Sequence, residues 1–336
     1  MRELPTIEEP VHVLELSERE ITTLGDEIRE LAAERDAVIL AHNYQVPEVQ
    51  DVADYVGDSL GLSRKAAEAD AAVIAFCGVH FMAETASILS RDKTVLLPDP
   101  EAGCSLADSI TASELRNWKS RHPGSIAVMY VNTSAEVKAE TDYCCTSTNA
   151  IQVVEHVLRE HGANAAILFG PDMWLGSYVE RITGRRMELW PGECHVHAGI
   201  TPEDIDREHD AQPSSDLLVH PECRSSARWI EDVAAGRLDA GAVHVLSTGQ
   251  MLDHVREHPD GRFVVATETG MLHPLRKAAV AAGLTAANEK AVCKYMKMTT
   301  LPKLRDSLRD MKHVVEVHDE IAARARLPIE RMVSIG

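Results

Sequence analysis

Residues 37–44 read AVILAHNY: five apolar residues, then His42, Asn43 and Tyr44. A short apolar run met at once by polar residues is the pattern of a buried strand that ends in a loop. The phrase returns twice. Ile126–Val131 (IAVMYV) runs into Asn132, Thr133 and Ser134, and Asp216–Val219 (DLLV) runs into His220, Pro221 and Glu222. The starts lie roughly 90 residues apart, and a repeat of that size means stacked or symmetry-related copies of one unit.

Working outward, each unit predicts three apolar strands with helices between. Unit one has strands at 37–41, 72–76 and 94–97, with helical stretches across 47–69 and at 80–90. Unit two has strands at 126–131, 165–169 and 186–190, with helices at 149–161, closed by Gly162, and 176–183. Unit three has strands at 216–219, 242–246 and 262–266, with helices at 226–235, 250–257 and 274–282. Strands alternating with helices predict an α/β fold of short parallel sheets with helical crossovers. The expected division is 37–122, 123–212 and 213–300, with linkers near 108–124 and 199–214. A helical segment, 1–36, precedes the units; its helix, Glu18 to Arg35, carries Ile21, Leu24, Ile28 and Leu31 on one face. A second, 301–336, follows, helical over 302–334 with an interruption at Pro328.

Composition narrows the function classes. The net charge of −19 argues against nucleic acid or an anionic membrane as partner, since both need a basic face. It suits a solvated acidic surface, of the kind a salt-rich cytoplasm also favours. No apolar run approaches membrane-helix length, and the first residues lack the charged-then-apolar pattern of a signal peptide. Seven cysteines without regular short spacing do not form a secreted disulfide framework. A reducing cytoplasm is the expected setting, where thiols are buried, catalytic or metal-bound.

After the third predicted strand of each unit comes one such thiol: Cys104 in AGCSLAD, Cys194 in WPGECHVH and Cys293 in NEKAVCKYM. Any one alone reads more readily as a small buried hydrophobe. Recurrence at matching places makes them candidate ligands, and their wide separation suits a cluster assembled between units rather than a C-x-x-C zinc knuckle. Three ligands on a four-iron cube leave one iron open to act as a Lewis acid. Cys77 reads as strand packing, Cys144 and Cys145 as local packing, and Cys223 as a residue that lines the site without ligating.

Ligands bind parallel sheets beyond the carboxyl ends of the strands. His42, Tyr44, Tyr130, His220 and Glu222 stand there as candidate proton handlers. Ser147-Thr148 and Ser247-Thr248 stand where helices begin, as does Ser59; such residues cap helices, and the helix starts attract phosphate or carboxylate. His195 and His197, on an extended segment, would share a face, but two alternating histidines fall short of a zinc site. No glycine-rich nucleotide fingerprint or P-loop is present, so neither ATP nor NAD is expected as a bound cofactor.

From about residue 37 to the C-terminal helix, the chain resembles the quinolinate synthase (NadA) family. The resemblance rests on His42-Asn43-Tyr44-Gln45, Gly57-Asp58-Ser59, AGCSLAD at 102–108, Tyr130-Val131-Asn132, CTSTNA at 145–150, Trp190 through His197, His220-Pro221-Glu222 and the Ser247-Thr248 turn. It implies three α/β domains around a pseudo-threefold axis, with a 4Fe–4S cluster in a central cavity. It implies condensation of iminoaspartate with dihydroxyacetone phosphate to quinolinate, releasing phosphate and two waters, in de novo NAD synthesis. The implied iminoaspartate supplier is an aspartate oxidase or aspartate dehydrogenase. Carried over, the cluster ligands are Cys104, Cys194 and Cys293. Substrate contacts are His42, Ser59, Tyr130, Val131, Asn132, Ser147, His220, Pro221, Glu222 and Thr248; catalytic residues are Tyr44, Glu222, His220 and His42.

Two features depart from the family pattern. Cys293 stands alone where some members carry C-x-x-C-x-x-C, and Leu246 and Gly249 flank Ser247-Thr248 where the family often reads GSTS. The competing readings are an iron–sulfur hydratase of a hydroxy acid, a non-catalytic iron–sulfur sensor and a zinc protein.

Overall fold

Parallel strands need a crossover long enough to return the chain to the same edge, and the helices between the apolar runs supply it. The computed structural model describes residues 6–7, 11–224, 226, 228–229, 239 and 241–336. It contains three four-stranded parallel sheets. The first is β1 (Ala37–His42), β2 (Tyr55–Gly57), β3 (Val73–Cys77) and β4 (Thr94–Leu96). The second is β5 (Ile126–Tyr130), β6 (Tyr143–Cys145), β7 (Ile167–Gly170) and β8 (Glu188–Leu189). The third is β9 (Asp216–Val219), β10 (Val243–Val245), β11 (Arg262–Ala266) and β12 (Gly283–Ala286). All three sheets share one spatial order, second strand, first, third, fourth.

Each unit therefore has one strand more than the sequence predicts. The missing ones are β2 and β6, edge strands of three residues each, and β12, whose GLTA is mostly half-exposed. β2 interrupts the helical stretch expected over 47–69, leaving helices Pro47–Val52 and Ser59–Glu68. The three thiols accordingly follow the fourth strand of their sheets, not the third. The expected linkers also hold structure: helices Ala112–Arg121 and Pro202–Ala211 lie in them, each opened by a capping box. The predicted helix at 226–235 lies mostly outside the described residues.

Central strands are buried on both faces; β3 and β7 are buried throughout. Helix Glu18–Glu34, capped by Ser17, contributes Ile28 to one core with Ile39, Val73 and Leu304, so it and helix Leu301–Asp310 cover one face of the first sheet. Helix Asp319–Ser334 packs on both β6 and helix His80–Leu89, tying the first unit to the second. Pro328 is buried inside that helix without ending it; the C-terminal break falls at 311–318 instead. Among the described residues no helix is long and apolar enough to cross a membrane.

Candidate active site

The shared strand order carries corresponding residues of all three sheets to one cavity. Cys104, Cys194 and Cys293 line it together. All seven cysteines are free, and these three are partly open to the cavity while otherwise enclosed by protein. Each is followed by a short helical turn, at Ala107–Ser109, His195–Gly199 and Met296–Met298. In each, the backbone N–H of the residue three along, Ala107, His197 or Met296, faces the sulfur. Those N–H groups favour thiolate, but burial dominates. It pushes Cys104 up to about 12, Cys293 up to about 11 and Cys194 well above its ordinary value. Neighbouring thiols that raise one another's pKa become thiolates together only against a cation, so this donor set fits a metal centre.

Two buried carboxylates fix the thiol-bearing backbone. Asp172, two residues past β7, accepts N–H bonds from Trp174 (3.0 Å), Leu175 (2.8 Å) and Cys194 (3.2 Å). Burial, followed by the charge of Glu222, pushes its pKa well up against these donors. Glu268, two residues past β11, accepts from the Cys293 N–H at 3.0 Å and from Lys297 Nζ at 2.8 Å. Lys297 also donates to the Tyr44 carbonyl at 2.5 Å, joining the third unit to the first. Two residues past β3 stands Val79.

A second set of corresponding residues lines the cavity from the helices that follow the second strand of each sheet. Ser59 opens Ser59–Glu68, Ser147 lies just before Ala150–His161, and Thr248 opens Thr248–Glu257. Their starts are bonded together: Thr148 Oγ1 donates to Asp58 Oδ2 (2.6 Å) and lies 2.9 Å from Ser247 Oγ. Asn43 Nδ2 donates to Thr248 Oγ1 at 3.1 Å. Three helix N-termini of ten or more residues thus bring positive dipole ends to one cavity.

The ends of β1, β5 and β9 supply the third set: His42 and Tyr44, Tyr130 and Asn132, His220 and Glu222. Glu222 is the hub. Its Oε1 accepts from the Tyr130 hydroxyl at 2.5 Å and lies 3.6 Å from His220 Nδ1. Its Oε2 lies 3.2 Å from His197 Nδ1, within ion-pair range but off hydrogen-bond alignment. Burial works against the charge, yet His197, His220 and Tyr130 outweigh it and bring Glu222 down to about 2. Burial lowers both His42 and His220 to about 3, so both are neutral near pH 7. Burial and the nearby Glu222 raise Tyr44 and Tyr130 well above the ordinary phenol value. Asn132 Oδ1 is buried with no partner among the described residues, an acceptor left for a ligand.

Val131 and Pro221 are buried behind this surface and do not line the cavity; the Val131 N–H bonds to the Cys145 carbonyl. Cys223 points away too, its thiol against the Ala266 carbonyl at 3.4 Å in the third-unit core. His197 is the residue that sequence reasoning missed. It lies on a helical turn, not an extended segment, and both it and His195 are buried. His197 stacks on His220 with ring centres 4.4 Å apart, and its Nε2 reaches Thr267 Oγ1 (2.9 Å) and the Tyr44 hydroxyl (3.3 Å). Cys194, His197 and Glu222 also bring ligand atoms within 4.8 Å of one another, close enough to hold a metal ion. The free space is small, about 60 Å³, which suits small metabolites rather than polymers.

The family model described as quinolinate synthetase A protein matches residues 26–334. The chain belongs to the quinolinate synthase family. It is 53% identical over 311 residues to a quinolinate synthase of Mycobacterium sp. (strain KMS), an alignment covering 92% of this chain and 91% of the relative. Quinolinate synthases of Mycobacterium tuberculosis (strain ATCC 25618 / H37Rv) and Mycobacterium leprae (strain Br4923) are each 52% identical over 92% of this chain, with 88% and 87% of the relatives covered. Membership makes the chain an enzyme.

Proposed function

We propose that the chain condenses iminoaspartate with dihydroxyacetone phosphate to quinolinate, releasing phosphate and two waters, in cytoplasmic de novo NAD synthesis. Its iminoaspartate comes from an enzyme that oxidises aspartate. Cys104, Cys194 and Cys293 hold a 4Fe–4S cluster through three ligands, and the units 37–122, 123–212 and 213–300 stand around a pseudo-threefold axis with the site at its centre. The observation that carries the reading is the delivery of one free thiol per sheet, from the same topological position, to a single cavity.

Both substrates are anions, and the chain is strongly acidic, so the site must reverse the global field. The hydroxyls of Ser59, Ser147 and Thr248, with the helix starts behind them, bind phosphate and carboxylate. Asn132 Oδ1 accepts an N–H or O–H of the bound intermediate. Glu222, ionised at neutral pH, takes the proton released on carbon–nitrogen closure and dehydration. Glu222 returns that proton to the departing hydroxyl, which leaves as water, while His197, between Glu222 and Tyr44, holds the two side chains in place. Neutral His42 and His220 orient substrate oxygens without adding charge. The cluster, when bound, supplies an open iron as Lewis acid for the departure of a hydroxyl.

A second reading has one observation in its favour: the Cys194, His197 and Glu222 grouping suits a single ion such as zinc. Anaerobic purification with iron, sulfide and zinc analysis, followed by an assay for quinolinate from the two substrates, separates them. Iron and sulfide with quinolinate formed support the proposal; zinc alone, or a cluster without product, refutes it.

A further inference from the structure

A second cluster of ligating side chains lies at the other end of the third sheet. Asp216 opens β9, His244 sits in the adjacent edge strand β10, and His254 lies on helix Thr248–Glu257, which follows β10. One ligand atom from each falls within 4.8 Å of the other two, and His244 Nε2 is 3.9 Å from Asp216 Oδ2. The His244 and His254 rings face each other with centres 4.2 Å apart. Nε2 of each is shielded from solvent and has no hydrogen-bond partner among the described residues. Two ring nitrogens shut off from solvent on half-buried side chains, without a partner among the described residues and beside one carboxylate, are donors open to a cation.

We propose that Asp216, His244 and His254 form a binding site for a divalent transition-metal ion of the zinc class, separate from the cysteine centre. The ligand types are those zinc prefers, and three protein ligands leave a fourth position for water. A tetrahedral ion with bonds near 2.0–2.1 Å sets its ligands about 3.3 Å apart, so rotations of an ångström or so close the site. The supporting contacts are in place. Phe263 packs edge-on against His254 at 5.7 Å, and the His258 ring lies 4.5 Å from it, with Nδ1 on the His254 carbonyl at 2.9 Å. Asp216 stands four residues before His220 along one extended segment, about 13 Å at the usual strand rise, so the two centres do not share ligands. Bound there, the ion would pin the edge strand to the helix whose first residue, Thr248, lines the cavity.

The test is equilibrium dialysis of the full chain, purified anaerobically, against zinc ion alone, comparing wild type with Asp216→Asn and His254→Gln. Zinc taken up by the cysteines is common to all three proteins and cancels. Expected is one saturable equivalent in the wild type whose affinity falls at least about tenfold in each variant, with circular dichroism unchanged. Absence of that equivalent in the wild type, or equal affinity in either variant, overturns the proposal. Where His254→Gln fails to fold, Asp216→Asn, which keeps the side chain's shape, decides alone.

Discussion

Units one and three build the same sheet in the same strand order and present a cysteine from the same place, yet they support it differently. Behind Cys293 a buried carboxylate, Glu268, holds the backbone N–H and is itself paired with buried Lys297. At the corresponding place before Cys104 stands the apolar Val79, so that segment has only the turn bond that all three units share, to the Cys104 carbonyl from Asp108 N–H (3.0 Å), to that of Cys194 from Ala198 (2.8 Å) and to that of Cys293 from Lys297 (3.2 Å). Unit two, with Asp172 behind Cys194, follows unit three. The repeat therefore fixes where a thiol is delivered, while residues outside the repeat pattern fix how rigidly. The same holds at the ends of the first strands, where Tyr44, Asn132 and Glu222 occupy matching positions and only the third unit supplies a carboxylate.

The largest effect follows from that last difference. If the ionised group of unit three carries proton transfer, Glu222→Gln lowers kcat by about 10²–10⁴-fold while the iron content stays intact. A variant with wild-type turnover breaks the comparison between the three strand ends. Next in size is Glu268→Gln, which strands Lys297 in the interior. Removing one partner of a buried pair costs about 3–5 kcal/mol, to be read by urea unfolding. Iron release to a chelator should quicken by about 10–100-fold, as for other lost supports of metal ligands. Asp172→Asn should share the faster release with a smaller loss of stability, because it leaves no cation unpaired. Val79→Ala should leave iron release unchanged; a Val79→Ala protein that sheds iron as fast as Glu268→Gln would show that the carboxylates are not the relevant support.

A pH effect sharpens the contrast between units. His42 and His220, in units one and three, have pKa values near 3 in the fold and near 6.5 when unfolded, whereas unit two has Tyr130 at the matching place. Below about pH 6.5 the unfolded chain binds these protons and the folded chain does not, so stability falls as pH drops. The slope is at most about 1.4 kcal/mol per pH unit per histidine. Glu222 contributes nothing to this slope above its unfolded pKa of about 4.5, because it is ionised in both states there. Urea unfolding at pH 6.5 and 5 should show the loss, and His42→Gln should reduce it. The smallest effect is Ser247→Ala, which removes a helix cap and a polar contact of Thr148, for about 1 kcal/mol in thermal unfolding.

Most of the architecture was legible because short apolar runs such as AVILA and IAVMYV, each stopped by polar residues and followed by a helical stretch, recur at a fixed spacing. The strands that escaped, YVG, YCC and GLTA, are too short to show alternation, and two of them abut helix signals. The three thiols and the strand-end residues were visible as repeats of position. His197 was hidden because His-Val-His mimics an extended alternation, and only the tertiary contacts of a five-residue turn make it the neighbour of Glu222. Asp172 reads in sequence as an ordinary helix cap; its bond to Cys194 spans 22 residues, and the Lys297–Glu268 pair is equally non-local.

The central claim is that one cysteine from each unit holds a single shared cluster. It is tested most directly by the anaerobic absorption spectrum and the iron and sulfide content of the wild type beside Cys104→Ser, Cys194→Ser and Cys293→Ser. The account predicts about four iron and four sulfide per chain in the wild type, with the cluster lost or depleted in every one of the three variants. A cluster of full occupancy that survives any of these substitutions would contradict it.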